Sequence, residues 1–396
     1  MKYCVLIVDG ASGWALPEWG ERTCLELART PNLDVMAREG MLGLARTVPS
    51  GMEPSSACAC MSVLGYDPTV YYRGRAAIEA KSMGIPVGAD EVVFRCNLVG
   101  IWGGEMKDYS AGHITNAEAL ELIEALNKNL GDDQVRFYPG VNYRHILKLK
   151  GRGDTLAAIC TPPHNIPGQP VAEFLPKGSG SELLRDLMAR SETVLRVHPV
   201  NIKRGLDDKV PATTIWLCWG TGQVPDLPPF KQVYGLSGVM TAGVDLLRGL
   251  AQMAEMETLE IPGVTDGQDN DYAAQATGAL AALGRHDLVV IHIEAPDEAG
   301  HSGLVEDKVK AIERIDRDVL SRIRSWQGDS LRVLVMPDHP TPIEIRTHCP
   351  EPVPFLLWGQ GFTANGAKRF TEAEAKKTGL FLDPGYNIMS RLAGKT

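Results

Sequence analysis

LVVIHIEAPDEAGH, Leu288–His301, decides how this chain is to be read. A short apolar run, rich in β-branched residues, stops at a proline and gives way to acidic residues and a histidine. Such a run reads as a strand buried on both faces of a parallel sheet. Asp297 and His301 fall beyond its carboxyl end, where open α/β sheets gather their ligands. Carboxylate and imidazole at short range are the ligand chemistry of Zn2+ and Mn2+. His292 inside the run, and His286 before it, read as satisfied core or surface groups.

The same pattern recurs elsewhere. Tyr3–Val8 leads directly to Asp9, and Val333–Met336 leads through Pro337 to Asp338 and His339, with His348 following in RTHCP. Phe355–Trp358 is a further run of this kind. Aspartates at three parallel strand ends are expected to be neighbours in space. Ser56, in GMEPSSAC, precedes a segment that can begin a helix. A hydroxyl there, beside a metal, can ionise and attack phosphorus while first-turn amides steady the anion. The competing reading of Ser56 is a helix N-cap.

Helical segments lie between the strands. Val305–Ile323 repeats its apolar residues at helical spacing, a helix from Thr30-Pro31 should stop at Gly40, and capping boxes start helices at Thr115 and Ser179. The middle, from about Val92 to Pro211, has shorter alternating runs (Val92–Val99, Arg144–Lys150, Val194–Val200) between turn-rich stretches. The expected architecture is α/β, a mostly parallel sheet sandwiched by helices, with a smaller inserted α+β domain. Its bounds are expected at 1–90 and 212–396 for the main domain and 91–211 for the insertion.

Composition excludes several classes. The chain has 396 residues, 44% apolar and 22% charged, enough for a large core. A net charge of -9 without a basic, aromatic-laced run argues against nucleic acid. No apolar stretch reaches membrane-spanning length and no signal peptide is seen, so a cytoplasmic protein is expected. The eight cysteines are scattered, several in apolar runs, as buried thiols in a reducing compartment would be. GQGFTANGAK, Gly359–Lys368, fails the P-loop pattern.

VDG at Asp9, TPNLD, SVLGYDP, Tyr72-Arg73-Gly74-Arg75, FRCNLV, HPVN, EAPDEAGH, PDHPTP and RTHCPEPVPF together resemble the alkaline phosphatase superfamily, and within it the archaeal-type cofactor-independent phosphoglycerate mutases. The resemblance implies two divalent metal ions, Mn2+ in the main, with Zn2+ or Mg2+ as substitutes. Asp297, His301 and His348 would hold one; Asp9, Asp338, His339 and the Ser56 oxygen the other. Ser56 would attack a small phosphorylated anion to form phosphoserine, and the inserted domain would close over the substrate. Arg75, Arg95, His113, Arg144, His164 and Arg204 are the candidate substrate-binding side chains.

The chain departs from the family pattern near the chemistry. Ser56 is followed by Ala57, Cys58, Ala59 and Cys60, where Ser-Asp-x-Ala-Asn is common, and Gln275 stands where a lysine is expected. The first strand continues DGASG rather than Asp-Gly-Met-Ala-Asp. SAGHI, FYPGVNYRH and TPPHNIPG also look like a bacterial subgroup proposed to act as an alternative homoserine kinase. Interconversion of 3- and 2-phosphoglycerate is the leading expectation. Transfer to another small hydroxy or amino acid, phosphomonoester hydrolysis, and a non-catalytic binding protein derived from the enzyme are the alternatives.

Overall fold

The computed structural model describes residues 1–223 and 226–395. They divide into two compact units, Met1–Tyr72 with Asp226–Thr396, and Arg73–Pro225. The second unit thus extends beyond 91–211 at both ends. Pairing is the reason: Thr214–Thr221 hydrogen-bonds antiparallel along Glu91–Trp102, while Ala76, Ala77 and Ala80 of the helix Arg75–Ser82 pack on Val93 and Ile146.

In the first unit an eight-stranded sheet runs, edge to edge, through Phe381–Leu382, Met41–Ala45, Val353–Gly359, Leu331–Met336, Lys2–Val8, Leu288–Ile293, Gly238–Thr241 and Glu257–Thr258. Lys2–Val8 is parallel to both neighbours, with Val5 opposite Val290 on one side and Leu334 on the other. Side chains alternate between faces. Cys4, Leu6 and Val8 therefore join one core with Val289, Ile291, Val333 and Val335, covered by residues of the helices Pro31–Glu39, Tyr272–Ala282 and Val305–Ile315. Val5 and Ile7 turn to the other face. Asp9, Asp297 and Asp338 follow three adjacent strands, so the expected juxtaposition is present.

Val353–Gly359 departs from expectation, pairing antiparallel with Leu331–Met336 and with Met41–Ala45; an apolar run alone does not carry strand direction. The helix expected over Val305–Ile323 is interrupted by a π-helical turn at Asp316–Leu320. Asp316 there accepts from the backbone of Asn32 (3.2 Å) and Leu33 (2.8 Å). It satisfies the orphan amides of the helix Pro31–Glu39, whose N-cap Thr30 makes no side-chain cap.

The second unit is a five-stranded antiparallel sheet. Glu91–Trp102 pairs with Glu105–Asp108, Arg144–Lys150 and Thr214–Thr221, and Val135–Tyr138 continues it from Arg144–Lys150. The helices Asn116–Leu130 and Ser181–Arg196 cover its core. The Thr115–Glu118 capping box forms on both sides. The Ser179–Glu182 box does not: the helix starts at Ser181 after a left-handed Gly180. Val194–Val200 is helix and turn rather than strand, because Val194 and Leu195 extend the spacing of Leu184, Leu187 and Ser191.

Candidate active site

The Asp9 backbone NH donates to Ile293 O at 3.0 Å, pinning the turn between two parallel strands. Its carboxylate is wholly buried, with Oδ1 3.5 Å from His339 Nε2. Asp338 Oδ1 accepts from Gly10 N at 3.3 Å, and its Oδ2 lies 3.2 Å from His339 Nε2 and accepts from the Cys60 thiol at 3.4 Å. Gly10 has φ +59°, and a Cβ there would collide with Asp297 and Thr341. Only glycine lets the turn pass so close.

Asp297 and His301 stand one turn apart on the helix Ala295–Ser302, which puts them on one face. His301 Nε2 lies 3.1 Å from Asp297 Oδ2 and 2.9 Å from His348 Nε2, while His348 Nε2 is 3.5 Å from Asp297 Oδ1. The His339 and His348 rings are 3.9 Å apart, so the two groups lie side by side. Ser56 Oγ is 3.1 Å from His339 Nε2. Capping of its helix, Ser56–Val63, falls to Ser55, whose Oγ accepts from Cys58 N at 3.3 Å. Ser56 is therefore the first helical residue, with its hydroxyl turned into the cluster.

Burial pushes the Asp9 carboxyl well above its usual range, and Asp338, Glu294 and Asp297 push it the same way. Burial would raise Asp297 too, but His301 and His348 outweigh it and hold that carboxyl well below the usual range. Burial opposes the charge on His301, yet Asp297 prevails and raises it to about 9. His339 is pushed down to about 4 by burial, against the pull of Asp338. Asp9 Oδ1 is buried without a hydrogen-bond partner.

A divalent cation suits these donors. Ligand atoms of Asp297, His301 and His348 lie within 4.8 Å of one another, as do those of Asp9, Asp338 and His339. Buried carboxylates beside imidazole nitrogens, one carboxylate oxygen being orphaned, are a costly arrangement that a cation relieves. His292, read from the sequence as a satisfied core or surface group, is buried but sits against Asp9, with Nε2 2.7 Å from Oδ2. That is a hydrogen-bond distance, which makes His292 an orienting partner of the carboxylate.

A sequence profile of the 2,3-bisphosphoglycerate-independent phosphoglycerate mutase family matches residues 37–201. A Methanothrix thermoacetophila protein named 2,3-bisphosphoglycerate-independent phosphoglycerate mutase is 47% identical over 395 residues, 99% of each chain. The chain belongs to this family. Among solved structures, a protein from Pyrococcus horikoshii is 26% identical with TM-score 0.81, covering 100% of this chain and 98% of its own. The cofactor-independent phosphoglycerate mutase from Thermoplasma acidophilum is 25% identical with TM-score 0.62, covering 100% and 99%.

In this phosphoglycerate mutase relative, three of the expected arginines come together in the second unit. Arg75 Nε and Arg95 Nη1 reach the same Glu79 oxygen, at 2.8 and 3.0 Å, and both guanidinium groups lie over the Trp219 ring. Arg144 stacks on Tyr143 and joins their field. His164 packs against Trp219 with ring centroids 5.5 Å apart. Glu79 is held by two of the three guanidinium groups, and Arg95 and Arg144 each bear on its carboxyl. Arg95 is buried, and its Nε has no hydrogen-bond partner. Glu79 and Trp219 carried no motif signal in the sequence.

Two other candidates lie apart. His113 is on an exposed turn at φ +49°. Arg204 is buried and spends its donors within the unit, on Glu118 (2.8 Å), Val210 O (2.9 Å) and Ala111 O (2.7 Å). Its contacts hold the turn that carries His113. Gln275, expected from the resemblance to stand where a lysine is usual, is buried, donates to His292 O at 3.0 Å and accepts from Asn270 at 2.9 Å. Its amide ties the helix Tyr272–Ala282 to the strand that bears His292.

Proposed function

We propose that the chain interconverts 3-phosphoglycerate and 2-phosphoglycerate without bisphosphoglycerate, by phosphoryl transfer through Ser56, as a step of glycolysis in the cytoplasm. The observation that carries this is the Ser56 hydroxyl, at a helix N-terminus, set into a cluster of six carboxylate and imidazole side chains. The family and its 47% identical relative supply the substrate. All eight cysteines are free thiols and seven are buried, which suits a reducing compartment. Among the described residues, no helix is long and apolar enough to cross a membrane.

Asp297, His301 and His348 would hold one divalent cation and Asp9, Asp338, His339 and Ser56 Oγ the other, Mn2+ being the proposed metal for this oxygen and nitrogen set. When bound, such cations act as Lewis acids on the oxygens at phosphorus. Ser56 Oγ gives up its proton and forms the new bond to phosphorus as the bond to the substrate oxygen breaks and that oxygen gains a proton; the phosphoryl group then leaves Ser56 for the other hydroxyl of the same glycerate, which loses its proton as Ser56 Oγ regains one. First-turn amides of Ser56–Val63 stabilise anionic phosphoryl oxygens. Arg75, Arg95 and Arg144, with His164, are the side chains proposed to bind the phosphate and carboxylate of the substrate, guanidinium being suited to both anions.

A radiolabelled phosphoglycerate tests the reading. Acid-quenched protein, incubated with [32P]3-phosphoglycerate and Mn2+, is expected to carry label on the peptide containing Ser56. Isomerisation with no label on that peptide in any quench would remove the phosphoserine route.

A further inference from the structure

Resting on the two-cation reading above, a hydroxyl outside both ligand sets draws them together. Thr341 Oγ1 donates to Asp297 Oδ1 and lies 3.3 Å from His339 Nδ1. One side chain thus touches a residue from each group. A threonine hydroxyl has a single proton to give. That proton goes into the hydrogen bond that Asp297 Oδ1 accepts. The hydroxyl oxygen remains as acceptor for a proton on His339 Nδ1. This selects one tautomer of His339 and leaves a lone pair on Nε2, the atom that faces Ser56 Oγ, Asp338 Oδ2 and Asp9 Oδ1.

Thr341 is also held in place. It is wholly buried, and a Cβ on Gly10 would come within 2.6 Å of its Oγ1, one on Gly300 within 2.8 Å of its Cγ2. Both glycines make room for this one side chain. Its backbone NH donates to Ser12 O at 3.1 Å. Its carbonyl accepts from buried Lys308 Nζ at 2.7 Å, and the same ammonium reaches Ser12 O at 3.1 Å. A hydroxyl fixed from so many sides transmits a fixed geometry to its partners.

We propose that Thr341 is a positioning residue that couples the two cation sites, its hydroxyl orienting Asp297 in one and setting the tautomer and plane of His339 in the other. The rival account is a threonine that only fills space. Thr341→Val keeps the shape and removes the hydroxyl, whereas Thr341→Ser keeps the hydroxyl and removes the methyl.

Calorimetric titration of the metal-free full chain with Mn2+ separates the two, with circular dichroism confirming the fold of each variant. Wild type is expected to take up two equivalents. Thr341→Val should bind both ions about 10- to 100-fold more weakly, the usual penalty for losing a partner of a metal ligand. Thr341→Ser should stay close to wild type. A Thr341→Val isotherm that overlays wild type, weakening at one site alone, or Thr341→Ser as weak as Thr341→Val would each overturn the proposal. If Thr341→Val does not fold, Thr341→Ala replaces it under the same criteria. Wild type that binds no Mn2+ would instead sink the two-cation reading, and this inference with it.

Discussion

Asp9 is oriented from two directions, its amide on Ile293 O and its Oδ2 on His292, while Oδ1 is left facing His339. Asp9, Asp297 and Asp338 were legible because each follows an apolar run, and His301, His339 and His348 because they sit close to such aspartates in sequence. His292 was not, since a histidine within a strand looks the same whether its ring meets a core or a carboxylate. Register decides: His292 lies opposite Ile7, which shares a sheet face with Asp9. Ser56 was open to the reading of a helix N-cap, but Ser55 takes that cap. Ser55→Ala is therefore expected to lower stability by about 1 kcal/mol. Urea unfolding measures it, and an unchanged midpoint would show that the cap contributes nothing.

Whole elements were legible where local chemistry agrees with the fold. Leu288–Ile293 and Arg144–Lys150 have the bounds read from sequence, and the helix Asn116–Leu130 begins at its capping box. Misreadings arose where distant contacts decide. The π-helical turn at Asp316–Leu320 carries the aspartate that caps the helix Pro31–Glu39, a bond across more than half the chain that no local pattern encodes. Ser179 and Glu182 have the spacing of a box, but Gly180 adopts φ +76° and starts the helix differently. The two boxes therefore differ in worth. Thr115→Ala should destabilise by about 1 kcal/mol, and Ser179→Ala by no more than a few tenths. Equal losses in thermal melts of the two variants would contradict the assignment.

For the whole molecule, one sheet gathers the strand ends that bear Asp9, Asp297 and Asp338, and a separate antiparallel unit gathers Arg75, Arg95 and Arg144 around Trp219. The sheet's site was readable because parallel strands place their ends together by rule. The arginine group was readable only as a set of candidates, because its assembly depends on Glu79 and Trp219, which lie far apart in sequence. Arg204 belongs to neither group and serves the second unit's own core.

The serine and the paired carboxylate–imidazole groups suit phosphoryl chemistry, and the family favours transfer over hydrolysis. The most direct measurement is 31P NMR of 3-phosphoglycerate incubated with the metal-free chain, before and after Mn2+ is added. The expected result is no reaction without the ion, then growth of a 2-phosphoglycerate signal to equilibrium with inorganic phosphate flat. Release of inorganic phosphate as the sole product, or isomerisation at full rate without any divalent cation, would contradict the account.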